Sequence, residues 1–303
     1  MKAFLLFIVM ATLTLAPASP ALAGSHASLG PIAKSDTGVV YVARGKEIAI
    51  YRQDGGGFVG RITNGTSSPR GLFVDAAGSL YVANQAGPDI AIYPRGRRAP
   101  SLLLSDGLEG PNSVAVDSSK TVYVADGNGA VVEYRAGQTH PFLTIPPYVG
   151  TSPGVFPTDI AVDGSGDVFM SAFLGSFGQD ILEYTAGPSP SWQRLHLDIA
   201  LRNEFAGVAI DRSGELVFAV ASGFSSYPGG IFVYDVAQKK VVRAIGHQYS
   251  GYSAIRFDPG LNRLFAGGMY ERRTYSYDYA SGKFIRSIFS GTNDIFAIAA
   301  GPS

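Results

Sequence analysis

Five aspartates stand at nearly equal intervals: Asp75, Asp117, Asp163, Asp211 and Asp258 are separated by 42, 46, 48 and 47 residues. A repeated carboxylate could supply metal ligands or acid–base groups, so its local setting decides. Each aspartate ends a short apolar run and opens a turn, as in Asp75-Ala76-Ala77-Gly78. An aspartate at the first turn position accepts hydrogen bonds from the backbone just ahead of it, and glycine at the fourth supplies φ > 0. These five are read as turn caps. The residue five places upstream changes from repeat to repeat: Arg70, Asn112, Thr158, Ala206 and Ser253. Asp294, from the C-terminal segment, is added to this ring, and Asp159 follows Thr158 by one place. A polar position that varies while its framework repeats is where ligand contacts are expected.

The elements that must position these residues are strands. In the unit beginning at Arg70, Gly71 to Asp75 is strand A, an almost continuous apolar run of the kind covered on both faces. Ser79 to Ala83 is strand B, Ile90 to Tyr93 strand C and Ser101 to Leu104 strand D. Strand C recurs as Ile48–Tyr51, Val131–Tyr134, Ile181–Tyr184, Ile231–Tyr234 and Thr274–Tyr277, which makes six units. A strand-only repeat of this length is the sequence signature of a propeller blade. The expected fold is all-β: a six-bladed β-propeller with four-stranded blades over residues 24–303. The first unit has a strand B, Asp36 to Ala43, but no strand A before it. Asn293-Asp294-Ile295-Phe296-Ala297-Ile298 reads like Thr158-Asp159-Ile160-Ala161-Val162, so the C-terminal strand is expected to complete the first blade. That closure removes the sheet edges.

In a propeller, strand A lines the axis, and the D-to-A and B-to-C loops share one face. Loops of the last three blades on that face carry aromatic side chains: Phe173 and Phe177, Phe224 and Tyr227, and Tyr270 beside Arg272. Aromatic rings among Gly and Ser form stacking surfaces. The candidate ligand-binding set is therefore Arg70, Asn112, Thr158, Asp159, Phe173, Phe224, Tyr227, Tyr270, Arg272 and Asp294.

Other chemistries are poorly supplied. There is no cysteine, which excludes disulfides and thiolate catalysis. No G-x-S-x-G elbow is present. Asp126-Gly127-Asn128-Gly129 has Gly137 at the twelfth position, so it cannot close a calcium loop of the EF-hand type. No catalytic residue is assigned.

The pattern D-x-x-G-x-[LV]-[YF]-V-A-[ND] resembles NHL-type propeller repeats, and Tyr81-Val82-Ala83-Asn84 is similar to the YVTN variant. A more distant similarity is to the six-bladed senescence-marker/gluconolactonase propellers. That likeness implies a divalent metal such as calcium at the strand entries, for which Asn112, Asp159 and Asp294 are the positions to test. The streptogramin lyases, also propellers, imply a histidine near the axis. The four histidines here, His26, His140, His196 and His247, fall in the tail or toward the outer strands.

Lys2, the apolar run Ala3 to Leu15, and Ala21-Leu22-Ala23 before Gly24 read as a signal peptide over residues 1–23. The remaining chain carries 23 basic and 24 acidic residues, a balance that argues against nucleic-acid binding. The expectation is a secreted or periplasmic, non-catalytic propeller. It would bind a small molecule, glycan or protein on the D–A/B–C face, with no membrane span and no obligate cofactor. The alternative is a metal-dependent lactonase or hydrolase with an axial pocket.

Overall fold

The computed structural model of the chain describes residues 38–149, 154–197, 204–221, 229–246, 251–268, 271–289, 291 and 295–302, with backbone alone for 176, 204 and 205. Six antiparallel four-stranded sheets form a propeller ring. Strands A of blades two to six are Pro69–Val74, Pro111–Val116, Phe156–Val162, Glu204–Ile210 and Tyr252–Phe257, each followed in its sheet by B, C and D. Strand A of the first blade is Ala297–Gly301, paired antiparallel with Val39–Arg44.

The closing strand enters three residues later than the sequence match indicates. Val42 pairs with Ile298, as Val82 pairs with Leu72 and Met170 with Ile160. Ile298, not Ile295, is therefore the counterpart of Ile160, and the ring position falls on Phe296, three places after Asn293 and two after the expected Asp294. The cause is alternation, because a one-residue slip would turn every side chain to the wrong face. In the observed register Ile298 and Ala300 join Val40 and Val42 against the sixth blade, while Ala297 and Ala299 face the second.

The core is not central. Six apolar clusters lie between neighbouring blades, one per interface; that between blades two and three combines Tyr81, Ile90, Val114, Val124 and Val132. Near the axis adjacent strands A almost touch. A Cβ on Gly71 would lie 2.5 Å from Ser113 Cα, and one on Gly207 would lie 2.6 Å from Ile255 N. These neighbours are backbone and cannot rotate away. Gly71→Ala is expected to cost about 1–3 kcal/mol in urea denaturation. Gly164→Ala, where a Cβ meets nothing within 4 Å, should change stability by less than about 0.5 kcal/mol. Equal effects at the two sites would refute this contact.

Glu133, on strand C of the third blade, is buried beside Tyr123. Burial first, and the Asp117 carboxylate second, push its pKa up from 4.5 to about 7. A carboxyl that binds its proton more tightly when folded stabilises the fold at low pH. That contribution falls as pH rises from the unfolded value through the folded one. Glu133→Gln should remove this part of the pH slope and raise stability at about pH 8 by roughly 1–3 kcal/mol. Urea titrations at acid and alkaline pH measure it, and a variant that keeps the full wild-type slope would contradict the assignment.

Candidate functional site

In five blades the pairing of strand A with strand B skips one residue, and the skipped residue is the ring residue: Arg70, Asn112, Thr158, Ala206 and Ser253. A β-bulge leaves its extra residue out of the ladder and re-aims it. Here the five bulged residues line one axial cup of about 380 Å³ on the D–A/B–C face. Gln85, Phe173, Gln179, Ile295 and Phe296 complete much of its wall.

The cup has a built hydrogen-bond order. Asn112 Nδ2 donates to Pro157 O at 3.1 Å, Gln85 Nε2 donates to Asn112 Oδ1 at 2.8 Å, and Arg70 Nε donates to Gln85 Oε1 at 3.2 Å. The Arg70 guanidinium also lies over the Phe296 ring, 4.1 Å from its centroid. Thr158 and Ser253 turn their hydroxyls back to strand B, onto Ser171 O and Gly267 O. Gln179 Oε1 is buried at the wall without a hydrogen-bond partner.

The rim is held by the last residue of the repeat motif. Asn84 Oδ1 accepts from Ser67 N, and Asp126 accepts from Glu109 N and Gly110 N, so the end of strand B fixes the incoming D–A loop.

Beneath the cup the axis is closed. Arg256 and Asp159, both buried, form a bidentate ion pair with both N–O distances 2.6 Å. Arg256 also donates to Leu72 O, Ile255 O and Ser113 Oγ. Ser113 Oγ and Val208 N donate to Asp159. All five guanidinium donors are used, and the network joins blades two to six. Asp159 is thus a cross-axis tie rather than part of the cup lining, which corrects its place among the ligand-contact candidates.

On the other side of this tie lies a second cup, also about 380 Å³, walled by residues such as Phe73, Val116, Val162, Ile210 and Phe257. The five repeat aspartates stand at this end and act as turn caps. Asp75 Oδ1 accepts from Ser79 N, Asp117 Oδ1 from Thr121 N, and Asp163 Oδ1 from Ser165 N and Asp167 N. Asp211 and Asp258 do the same for their turns. Tyr279 OH donates to Asp211 at 2.6 Å; burial, the largest cause, and this contact raise the phenol's pKa above its usual value.

Of the candidates, Arg70, Asn112, Thr158 and Phe173 come together in the first cup. Arg272 is exposed in the turn before Arg273–Asp278, with φ 56°, and does not line it. Phe224, Tyr227, Tyr270 and Asp294 lie outside the described residues. Gln85, Gln179 and Phe296 escaped sequence reasoning. The first two flank the B–C loops, where composition says little, and Phe296 was hidden by the register of the closing strand.

The implied lactonase-type metal set does not assemble from the described residues. Asn112 is bonded to Gln85 and Pro157, and the Asp159 carboxylate is neutralised by Arg256. Among the described residues no group of three or more His, Asp or Glu could hold a metal ion. His140 is exposed and paired with Asp106, and His196 follows an outer strand, so neither approaches the axis. No helix among the described residues is long and apolar enough to cross a membrane.

No protein-family model and no curated protein matches the chain. Solved structures do. A chain of a nidogen/laminin complex superposes with a TM-score of 0.65 at 14% identity, over 87% of this chain and 98% of that one. A chain of Kuenenia stuttgartiensis hydrazine synthase gives 0.54 at 14% identity, over 77% of this chain and 71% of that one. At such identity the likeness is one of fold, and the chain is a six-bladed β-propeller.

Proposed function

We propose that this protein is an exported, non-catalytic β-propeller of the NHL/YVTN type that holds a ligand in the cup on its D–A/B–C face. The observation that carries this reading is the coincidence of five β-bulges with five variable residues. Each of these five blades spends an irregularity of its inner ladder to place a different residue at the same cavity. Bulges recur beside functional sites because they re-aim side chains, and a concave site of a few hundred Å³ suits a small molecule. Export rests on the N-terminal apolar run and the Ala21-Leu22-Ala23 site.

The test is a small-molecule screen by thermal shift on wild type and on Ala206→Trp, which fills the cup from a bulged position. Ligands should raise the melting temperature of the wild type, since binding to the folded state stabilises it. The shift should disappear in a variant that melts normally without ligand. Shifts that persist in Ala206→Trp would move the site elsewhere. Secreted material should begin at Gly24 by mass.

A further inference from the structure

Among the described residues the lining of the first cup carries one charge, that of Arg70, the sole ionisable side chain there. The nearest buried carboxylate below, Asp159, is already neutralised by Arg256. Arg70 is also held in place: its Nε is fixed to Gln85, Gln85 to Asn112, and Asn112 to the Pro157 carbonyl. Its face rests on Phe296. Among the described residues its one hydrogen bond, to Gln85, uses the Nε–H, which leaves the Nη donors for a ligand. A guanidinium positioned in this way presents a planar fork that matches a carboxylate. Facing it from the fourth blade are Phe173, 42% exposed, and Gln179 with its unpartnered Oε1. An acceptor left buried without a partner costs free energy that a donor would recover.

We infer that the ligand of this cup is a small organic carboxylate with an apolar or aromatic body and a hydroxyl or N–H donor at its other end. The carboxylate pairs with Arg70, the body packs on Phe173, and the donor engages Gln179 Oε1 once the Gln179 side chain turns this buried atom toward the cavity. The inference rests on the proposal that the cup is a binding site, and it adds the chemistry of the occupant.

The experiment is isothermal titration of the mature protein with para-hydroxybenzoate and its neutral isostere para-hydroxybenzamide, on wild type, Arg70→Gln, Gln85→Leu, Gln179→Leu and Ala206→Trp. The carboxylate should bind wild type at least about tenfold more tightly than the amide, as expected for a charge-assisted pair. Arg70→Gln should abolish that ratio while leaving amide binding unchanged. Gln85→Leu should reduce the ratio several-fold by releasing the guanidinium, and Gln179→Leu should weaken both probes equally. Equal binding of acid and amide, lost together in Ala206→Trp, would overturn anion recognition and leave the cup as a binding site. Acid binding that survives Ala206→Trp would overturn both readings. Failure of either probe to bind at millimolar concentration would overturn the carboxylate inference, and the unbiased screen would then decide the fate of the cup. Circular dichroism of each variant separates lost binding from lost fold.

Discussion

Arg256→Ala is expected to destabilise the propeller by about 3–5 kcal/mol, measured by urea denaturation at neutral pH. The guanidinium makes six hydrogen bonds, the longest to Val208 O at 3.4 Å, at a point where the strands A of five blades converge. Removing it leaves the Asp159 carboxylate buried, with only Ser113 and the Ile160 and Val208 amides for company. An uncompensated buried charge is the costly outcome, more so than the loss of the contacts themselves. It follows that removing both charges should be far milder. Arg256→Met combined with Asp159→Leu is expected to recover more than half of the loss, because apolar packing commonly replaces a buried pair at little net cost. If the single variant fell within about 1 kcal/mol of wild type, water would have to reach Asp159 from one of the two cups, and the axis could not be the closed septum described above. The double variant also asks whether the tie serves specificity. A ring that loses registry between blades without losing stability would show a broadened transition at unchanged midpoint.

This tie marks the limit of what the sequence discloses. The blade count, strand order and turn caps follow from local rules, because each is written in the spacing of apolar runs, Asp and Gly, and each recurs. The positions of Arg70, Asn112, Thr158 and Ser253 were legible for the same reason: their distance from the repeat aspartate is constant. Arg256 was not. In the chain it is merely the residue two before Asp258, where other blades carry Phe73, Ala115, Ala161 and Ala209. That a cation there could be tolerated depends on Asp159, 97 residues away, which itself looked like a misplaced ring residue. Pairing across the axis has no sequence period, so no periodic argument finds it. The bulges were equally silent, since a one-residue skip in the A–B ladder leaves no mark in composition. The register of the closing strand misled for a further reason. Asp294-Ile295 imitates Asp159-Ile160, but alternating burial against Val40 and Val42 outweighs that likeness.

Removal of residues 292–303 is expected to abolish cooperative folding. The five residues Ala297–Gly301 are all buried, and they form the innermost strand of the first blade. Without them Val40, Val42 and Ala43, each fully buried in the intact ring, lose their pairing partners, and the interface between the sixth and first blades loses Ile298. A single buried Ile truncation costs about 2–5 kcal/mol. The whole strand removes five ladder residues as well, against a net stability on the order of 5–15 kcal/mol for a typical domain. The truncated chain would also expose an apolar sheet edge, the feature that drives edge-to-edge aggregation. It should therefore give a broad melt and sediment as aggregates, while Ile298→Asp alone should lower the midpoint sharply. An unchanged melting temperature in the truncation would refute closure. The converse experiment removes the ambiguity of a chain that simply fails to fold. Gln53 Nε2 donates to both Val39 O and Gly301 O, so the start of the first strand B and the end of the closing strand are neighbours. A permuted chain that begins with residues 292–302, followed by a short turn into Gly38, places the same strand in the same sheet through a hairpin. It should melt cooperatively near wild type, because what the ring requires is this strand at this edge and not its position at the end of the chain.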